Sequence, residues 1–535
     1  DKGVIQTKVK KTHNDDLGKY EMYYEFSQVV KKIPAYRTLA FNRAEKEKVI
    51  NVKLIIDSEI ITQKLVLFEV TNDNPEMKDF YNEIVLDACK RLIFPSIERE
   101  IRKELTETAN VHAIELFASN LDELITQPPL KQKWILGVDP AFRTGCKLAV
   151  INPNSTLKEI DVIYPHPKEN EMNKKDVLHE KSKVVINKIL KEYPIEYIAI
   201  GNGTASRETE KFFKDNYSDY NIVIVSEAGA SVYSASSVAK KEVPDLQVEQ
   251  RSAVSIARRL QDPMAELVKI EPKSIGVGQY QHDVNQKQLS ENLDFVMIKN
   301  INKVGVDLNT ASSELLKYVS GLDGAVANNI VDYRNENGEF TNRKELMKVK
   351  RLGAKAFEQS AGFLQVYDGV NIYDKLFIHP ERYKLADSIL KEIKMAKEDI
   401  GSQELISKLE ESNAYEIAKS LDVNEIIVED IMRIFKDPTI DERGELKVVE
   451  FDPNVEKIED LKTGMKIKGQ VRNIVQFGAF VDIGIKNDGL VHISEVSNKF
   501  VNDVNDFLNV GDVLDFTVKS IDLEKNKVQL TLKEV

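Results

Sequence analysis

"WILGVDPAFRTGCKLAVIN", residues 134–152, decides the fold of the middle of this chain. An apolar run ends at Asp139, a short turn containing Gly145 follows, and a second apolar run begins at Cys146. Short apolar runs separated by a turn predict two adjacent strands. The carboxylate of Asp139 then lies at the end of the first strand, a position from which carboxylates bind metal ions.

The residues that follow continue this pattern and define an α/β domain. Three early strands are followed by helices that alternate with two further strands, which is the order of a sheet covered by helices. The later strands are predicted in the runs "LKEIDVIYP", "EYIAIGNG" and "NIVIVSE". The helices are predicted at residues 170–192, 204–216, 231–240 and 250–261.

Changes of pattern divide the 535 residues into six segments, and a chain of this length is expected to hold several domains. We expect a multidomain α/β and α protein with a C-terminal β-barrel. The segments are a mostly helical N-terminal part, the α/β domain, a connector, short helices with glycine turns, a helical domain with a linker from Asp437 to Pro453, and a strand-dominated end. Their predicted bounds are 1–130, 131–265, 266–298, 299–367, 368–455 and 456–535.

The composition is that of a globular protein, with 42% hydrophobic and 30% charged residues. No apolar stretch is long enough to cross a bilayer, so we expect no membrane contact. Two cysteines in so long a chain, Cys89 and Cys146, favour a reducing compartment, and we expect a cytoplasmic protein without a disulfide framework. No Cys/His cluster has zinc spacing, and we expect neither a metal ion nor a cofactor.

One short stretch departs from the net charge of −12. Residues 342–355, "NRKELMKVKRLGAK", carry six basic residues and one acidic residue, which gives +5. A local basic patch can bind a polyanion although the whole chain is acidic. A solvated helix face is the alternative interpretation. The six basic residues are Arg343, Lys344, Lys348, Lys350, Arg351 and Lys355.

The C-terminal run "GMKIKGQVRNIVQFGAFVDIGIKNDGLVHISEVS" resembles the ribosomal-S1-type RNA-binding domain, a five-stranded OB barrel, over residues 462–535. Exposed rings on such a barrel stack on bases, at about 1–3 kcal/mol each and with little sequence preference. Alternatively, one of the two phenylalanines that flank "GA" on the predicted strand belongs to the core. Ten basic and ten acidic side chains in residues 461–535 leave the module neutral, so weak, salt-sensitive binding is expected. The residues that the resemblance places on the nucleic-acid face are Phe477, Phe480, His492 and Lys527.

Two stretches, "ELLKYVSGLDGAVANNIVDYRNENG" and "NRKELMKVKRLGAKAFEQSAGFLQV", resemble a tandem helix-hairpin-helix. In this motif a glycine hairpin points backbone N–H groups at a phosphate, without reading sequence. In the first copy Asp323 replaces a glycine and should repel phosphate, so we expect a structural role. The second copy coincides with the basic stretch and is the expected backbone contact; helix-pair packing is the alternative for both copies. The contact residues expected in the second copy are Lys350, Arg351, Gly353 and Lys355.

Residues 134–261 resemble the YqgF family, an RNase-H-like fold shared with Holliday-junction resolvases. Those enzymes hold two metal ions with three or four carboxylates from different elements. Asp139 and Glu227 match two of the expected acids, whereas Asn202 and Ser252 stand where two others are expected.

Two further acids, Glu249 and Asp262, lie near the last expected position but are displaced by at least a turn. Because the number of carboxylates decides two-metal chemistry, we expect a retained fold without enzymatic activity. If the domain is a nuclease, the catalytic candidates are Asp139, Glu227 and Asp262.

Taken together, the domain order resembles that of the Tex family of bacterial transcription accessory proteins over essentially all of the chain. The family carries a further N-terminal helical region, so an N-terminally truncated chain is expected. The resemblance implies binding of RNA, DNA or both with little sequence specificity, and RNA polymerase or the transcription machinery as a partner. The alternatives are a metal-dependent nuclease of the RNase-H class acting on structured nucleic acid, and a protein-interaction scaffold that binds no RNA.

Overall fold

The computed structural model describes most of the chain, and the linker predicted from Asp437 to Pro453 and the start of the helix predicted at 170–192 lie largely outside the described part. No helix within that part is both long and apolar enough to cross a bilayer. The described residues are 3–11, 15, 18–69, 75–130, 132–166, 175–367, 369–438, 443–444, 455, 457–485, 487–499, 501, 503–523 and 526–533.

The N-terminal part contains a three-stranded antiparallel sheet in addition to the predicted helices. Its elements are β1 (Val4–Val9), β2 (Glu25–Val29), α1 (Ala35–Lys46), β3 (Ile50–Ile55), α2 (Ser58–Glu69), α3 (Pro75–Ala88), a π-helical turn (Cys89–Ile93) and α4 (Phe94–Ile125). The sheet has the order β2-β1-β3, and burial alternates along β3 with the two-residue period of a strand. The helices α1 to α4 agree with the expectation of a mostly helical segment, which did not include the sheet.

The central domain is the α/β sheet that the opening stretch predicts. Its elements are β4 (Ile135–Asp139), β5 (Cys146–Ile151), β6 (Leu157–Ile163), α5 (Lys175–Glu192), β7 (Tyr197–Gly201), α6 (Ser206–Asn216), β8 (Asn221–Val225), α7 (Ala230–Ala235), α8 (Ser237–Glu242), α9 (Val248–Gln261) and α10 (Pro263–Leu267). The order is β6-β5-β4-β7-β8, with β4 antiparallel to β5 and parallel to β7. Helix α9 packs closely on the sheet at Gly137. A Cβ at this position would come within 2.4 Å of the Ala253 carbonyl oxygen, so only glycine leaves room for the helix.

Helices fill residues 286–436. They are α11 (Gln286–Val304), α12 (Ser313–Leu316), α13 (Gly324–Asn337), α14 (Ala354–Ser360), α15 (Tyr383–Glu392), α16 (Gln403–Glu411), α17 (Ala414–Leu421) and α18 (Glu425–Lys436). Two short parallel strands, β9 (Val306–Asp307) and β10 (Leu364–Gln365), close the unit that holds both predicted hairpins.

The C-terminal segment is a closed five-stranded barrel, as predicted. Its strands are β11 (Lys466–Val475), β12 (Gly478–Asp482), β13 (Gly489–His492), β14 (Val513–Asp522) and β15 (Lys527–Thr531), in the order β11-β12-β13-β15-β14. Inward-facing residues such as Val471, Phe516 and Leu530 form its core.

The long helix α4 packs against the barrel. The Asn120 amide donates to the Ile474 carbonyl oxygen at 3.1 Å and to the Asn473 side-chain oxygen at 3.1 Å, both on β11. The Glu123 carboxylate accepts the Val510 backbone N–H, and burial raises the pKa of Glu123 to about 7. These contacts fix the barrel against the rest of the protein.

Candidate nucleic-acid interface

The carboxylate predicted from the opening stretch lies in a cluster of opposite charges. Asp139 ends β4, is half-buried, and pairs across the ladder with Lys147 of β5. Burial and the Glu227 carboxylate raise the pKa of Asp139 to about 6, and the Lys147 ammonium opposes that shift. The Lys147 Nζ lies 3.7 Å from the Glu249 carboxylate and donates to the Thr144 hydroxyl.

Asn202 and Glu227 meet at the neighbouring strand ends. The Asn202 side-chain oxygen accepts the Glu227 backbone N–H at 3.0 Å, so this amide joins the ends of β7 and β8. The Glu227 carboxylate covers Gly203, where a Cβ would lie 1.9 Å from Oε1. Burial raises the pKa of Glu227, and the buried Arg259 guanidinium acts against that shift.

The structure does not bring Asp262 to this cluster, which corrects its choice as a catalytic candidate. Glu249 lies in the first turn of α9, whereas Asp262 follows the last turn, and the helical rise separates them by about 20 Å. The Asp262 carboxylate instead caps α10 by accepting the Ala265 N–H at 3.1 Å. It also binds Arg443 through two hydrogen bonds of 2.8 and 3.3 Å.

The residues present do not fit the two metal ions that the RNase-H resemblance implies. Within the described residues, no group of three or more His, Cys, Asp or Glu side chains has the geometry to hold a metal ion. The ammonium of Lys147 already places a positive charge among Asp139, Glu227 and Glu249 and would repel a divalent cation. Sequence reasoning missed Lys147, although a lysine inside the apolar run "CKLAVIN" is an unusual feature.

The second predicted hairpin presents an uncapped helix start. The Leu352 N–H donates to the Val349 carbonyl oxygen at 3.2 Å and closes a tight turn. Arg351 occupies its left-handed position, with φ of 68°, a conformation that favours glycine. Gly353 is the N-cap of α14 and contributes no side-chain hydrogen bond. A Cβ at Gly353 would meet nothing within 4 Å, so the space in front of the helix is open.

Five of the six basic residues in the stretch that contains this turn are exposed, one fewer than the sequence suggested. Arg343 is 1% exposed and donates to the Ile378 and Leu376 carbonyl oxygens, each at 2.6 Å, so it is structural. Lys348 is paired with Glu345 at 3.2 Å. The exposed cations are Lys344, Lys348, Lys350, Arg351 and Lys355.

The first hairpin has the same turn and the opposite chemistry. The Leu322 N–H donates to the Val319 carbonyl oxygen at 3.1 Å, and Gly321 holds the left-handed position with φ of 87°. Asp323 is the N-cap of α13, and its carboxylate accepts two backbone N–H groups, each at 2.8 Å. The groups that a phosphate would use are therefore already bonded to an acid.

The turn of the first hairpin also packs on one side against the second. A Cβ at Gly321 would lie 2.6 Å from the Cβ of Gln359 on α14. In return, the Asn329 amide of α13 donates to the Lys350 carbonyl oxygen at 2.8 Å. The first hairpin thus packs against the second, while Gly321, Asp323 and Gly324 stay exposed.

On the barrel, the two predicted rings lie side by side. Phe480 is on β12, but Phe477 lies in the turn before that strand, which corrects its expected place on the strand. The ring centroids are 6.3 Å apart with an edge-to-face geometry. Both side chains are half-buried, and neither belongs to the buried core of the barrel.

His492 and Lys527 lie at different levels of the barrel. His492 ends β13, is exposed, and lies beside Gly478 in the ladder, next to the rings. Lys527 begins β15, one position before the Val528 that pairs with Gly489. Because β13 and β15 are parallel, Lys527 lies about 13 Å along the strands from the level of His492.

An ion-pair network that sequence reasoning missed joins the barrel to the α/β domain. Arg207 of α6 bonds Asp482 at the end of β12 and Glu210 on its own helix, the latter at 2.8 Å. Arg472 of β11 donates to Asp482 at 2.6 Å and to Asp488 at 3.0 Å. The end of β12 at Asp482 therefore contacts the α/β domain.

Family models match five of the six predicted segments, all except the connector at residues 266–298. The matching models are described as Tex central region-like for residues 1–117, Tex protein YqgF-like domain for 133–261, helix-hairpin-helix motif for 301–365, HHH domain for 371–443 and S1 RNA binding domain for 460–533. The sequence predicted helices in the fourth of these ranges but not their type. The fold and its sites thus define a multidomain protein built from nucleic-acid-binding modules around a nuclease-like domain.

Relatives that match nearly all of this chain identify the family. The chain is 49% identical to "Uncharacterized protein YdcI" of Bacillus subtilis, over 99% of this chain and 74% of that protein. It is 40% identical to "Transcriptional accessory protein Tex" of Neisseria gonorrhoeae, over 99% and 69%. It is 35% identical to human "S1 RNA-binding domain-containing protein 1", over 98% and 59%. The chain belongs to the Tex family.

Proposed function

We propose that the protein is a transcription accessory factor that binds nucleic acid through two separate surfaces and does not cleave it. The second hairpin holds the sugar-phosphate backbone, and the barrel stacks bases of a single strand. Neither surface reads base edges, so binding has little sequence preference. RNA polymerase or another part of the transcription machinery is the proposed partner, by similarity to the relative whose name includes a transcriptional accessory role.

The observation that carries the proposal is the difference between the two hairpins. One helix start is bonded to the Asp323 carboxylate, whereas the other begins with Gly353 among five exposed cations. Unoccupied N–H groups together with positive side chains are what a phosphate requires. Because the net charge of the chain is acidic, backbone contact of this electrostatic kind would be limited to such a local basic patch.

A scaffolding role for the α/β domain, without cleavage, is supported by its charges. A two-metal reaction needs ionised carboxylates that converge on two cations. In this domain Asn202 accepts a backbone hydrogen bond where a carboxylate is expected, and Lys147 lies within the acidic cluster. These features support a domain that keeps the fold and serves to position α6 against the barrel.

The test uses the whole chain with labelled duplex, branched and single-stranded oligonucleotides in the presence of magnesium or manganese. We expect binding that weakens steeply with salt and no cleavage of any substrate. Cleavage that disappears in Asp139→Asn would establish a nuclease instead. Absence of binding to every oligonucleotide at low salt would favour a scaffold that contacts only proteins.

A further inference from the structure

A third aromatic ring extends the pair on the barrel, and it belongs to a different domain. The Tyr36 ring centroid lies 5.3 Å from that of Phe477, again edge to face. Phe480 follows at 6.3 Å from Phe477 on the other side. The three half-buried rings thus form a row that begins on α1 and ends on β12.

The junction between α1 and the barrel is held by a specific hydrogen bond. Tyr36 lies in the first turn of α1, where backbone N–H groups have no partner within the helix. The Gln476 side-chain oxygen, from the turn that carries Phe477, accepts the Tyr36 N–H at 2.8 Å. The barrel therefore caps α1, and the position of the Tyr36 ring relative to Phe477 is fixed.

A positive charge accompanies the third ring. The Arg37 guanidinium lies 5.7 Å from the Tyr36 ring centroid and 5.2 Å from that of Phe26. It donates to the neutral Gln28 side-chain oxygen at 2.7 Å. Among the described residues no carboxylate forms an ion pair with Arg37, so none of them neutralises its charge.

We propose that the single-strand surface of the barrel continues onto α1, with Tyr36 as a third stacking ring and Arg37 as a phosphate contact. A bound strand would run from Phe480 across Phe477 to Tyr36. Stacking on aromatic faces with an adjacent cation is the general chemistry of single-strand binding. The inference rests on the proposed single-strand binding by the barrel and extends it to a second domain.

The alternative role for Tyr36, packing against Phe477 without contacting a base, predicts the opposite change in single-strand affinity when Tyr36 is removed. If Tyr36 only covers Phe477, its removal exposes a stacking ring and leaves single-strand affinity unchanged or raises it. If Tyr36 itself stacks on a base, its removal weakens binding by an amount typical of one base, about fivefold to 100-fold.

The experiment measures fluorescence anisotropy of a labelled 12-nucleotide oligo(U) with the full chain at low salt. Tyr36→Ala and Tyr36→Leu are expected to weaken binding, and Tyr36→Phe to retain it. Leucine preserves apolar contact with Phe477 but has no aromatic face, so it separates stacking from packing. Wild-type affinity in Tyr36→Leu overturns the inference even where Tyr36→Ala alters the fold.

Phe480→Ala tests single-strand binding by the barrel separately from its extension to Tyr36. Weaker binding in Phe480→Ala with unchanged or tighter binding in Tyr36→Ala leaves the barrel function intact and overturns the extension. Unchanged binding in Phe480→Ala removes the barrel function and the extension with it.

Arg37→Gln tests the phosphate contact by salt dependence. Loss of one phosphate contact should reduce the slope of log affinity against log salt by about 0.7 for a single strand. An unchanged slope would contradict the role of Arg37, because a purely structural change does not alter the number of released counterions.

Discussion

The two hairpins of residues 301–365 share a backbone turn and differ in almost everything that a phosphate would contact. In the first, the left-handed turn position is Gly321 and the helix N-cap is Asp323; in the second, these positions hold Arg351 and Gly353. Glycine and a charged residue have therefore exchanged places. The first hairpin satisfies its own helix start, and the second leaves it open.

The difference shows that stability and binding place opposite demands on the same motif. A carboxylate at an N-cap stabilises a helix by about 0.5–2 kcal/mol relative to alanine. It also occupies the backbone N–H groups that a phosphate would bind, and its negative charge repels the phosphate. An arginine in a left-handed conformation costs about 1 kcal/mol, and here it adds positive charge beside the open helix start. We infer that the first hairpin supplies support and the second supplies contact.

The largest expected effect comes from reversing charge at the second hairpin. Lys350→Glu, Arg351→Glu and Lys355→Glu together should lower duplex affinity by about 100-fold or more and reduce the salt slope by about 3. The measurement is anisotropy of a labelled duplex across a salt series. A matched control reverses three exposed lysines of the α/β domain, Lys181, Lys191 and Lys241, with the same change of net charge. Equal losses in both variants would show that only net charge matters.

The next effect comes from giving the second hairpin the cap of the first. Gly353→Asp should lower duplex affinity about tenfold while raising stability by a few tenths of a kcal/mol, because the side chain enters open space. Gly353→Asn is the matched control, since it also caps the helix but carries no charge. Duplex titration and thermal melting are measured for both variants. A loss of affinity in Gly353→Asp alone indicates repulsion between the carboxylate and the phosphate, whereas an equal loss in Gly353→Asn indicates that the cap blocks the backbone N–H groups. Tighter binding by Gly353→Asp would refute the assignment.

A smaller effect on affinity, with opposite effects on stability, is expected at the left-handed position. Arg351→Gly should stabilise the protein by about 1 kcal/mol and weaken duplex binding severalfold. Gly321→Ala should destabilise it by about 1–3 kcal/mol, because its Cβ would meet the Cβ of Gln359 at 2.6 Å. Thermal melting is the readout. Stabilisation by Gly321→Ala would contradict the packing described for the first hairpin.

The smallest effect on binding is expected from the cap of the first hairpin. Asp323→Ala removes two hydrogen bonds to backbone N–H groups and should cost about 1 kcal/mol of stability. Duplex affinity should change less than about threefold, because the turn beside this cap is packed against α14. A large gain in affinity would mean that the acid alone keeps the first hairpin from binding.

Patterns in the sequence were sufficient where local chemistry decides the outcome. The run through Asp139 predicts β4 and β5 because strand length, turn and apolar composition agree. The acid in the first hairpin favours a structural role for the same local reason, and that role stays a prediction; the structure adds that Asp323 accepts two backbone N–H groups.

The sequence was insufficient where a side chain is engaged by residues distant in the chain. Arg343 counted as a surface cation, yet carbonyl groups of residues 376 and 378 bury it. Asp262 looked available, yet Arg443 binds it. Tyr36 gave no signal at all, because its relation to Phe477 depends on how α4 positions the barrel. Contacts between domains of this kind leave no periodic pattern to detect.

We infer that the second hairpin, and not the first, contacts the nucleic-acid backbone. Both native cysteines are buried, so an introduced surface cysteine can be labelled selectively with a photo-crosslinker. Gly324→Cys and Ala354→Cys place the probe at the first residue of α13 and of α14, both exposed. We expect efficient crosslinking of a labelled duplex from position 354 and little from position 324. Equal crosslinking from both positions, or more from position 324, would contradict it.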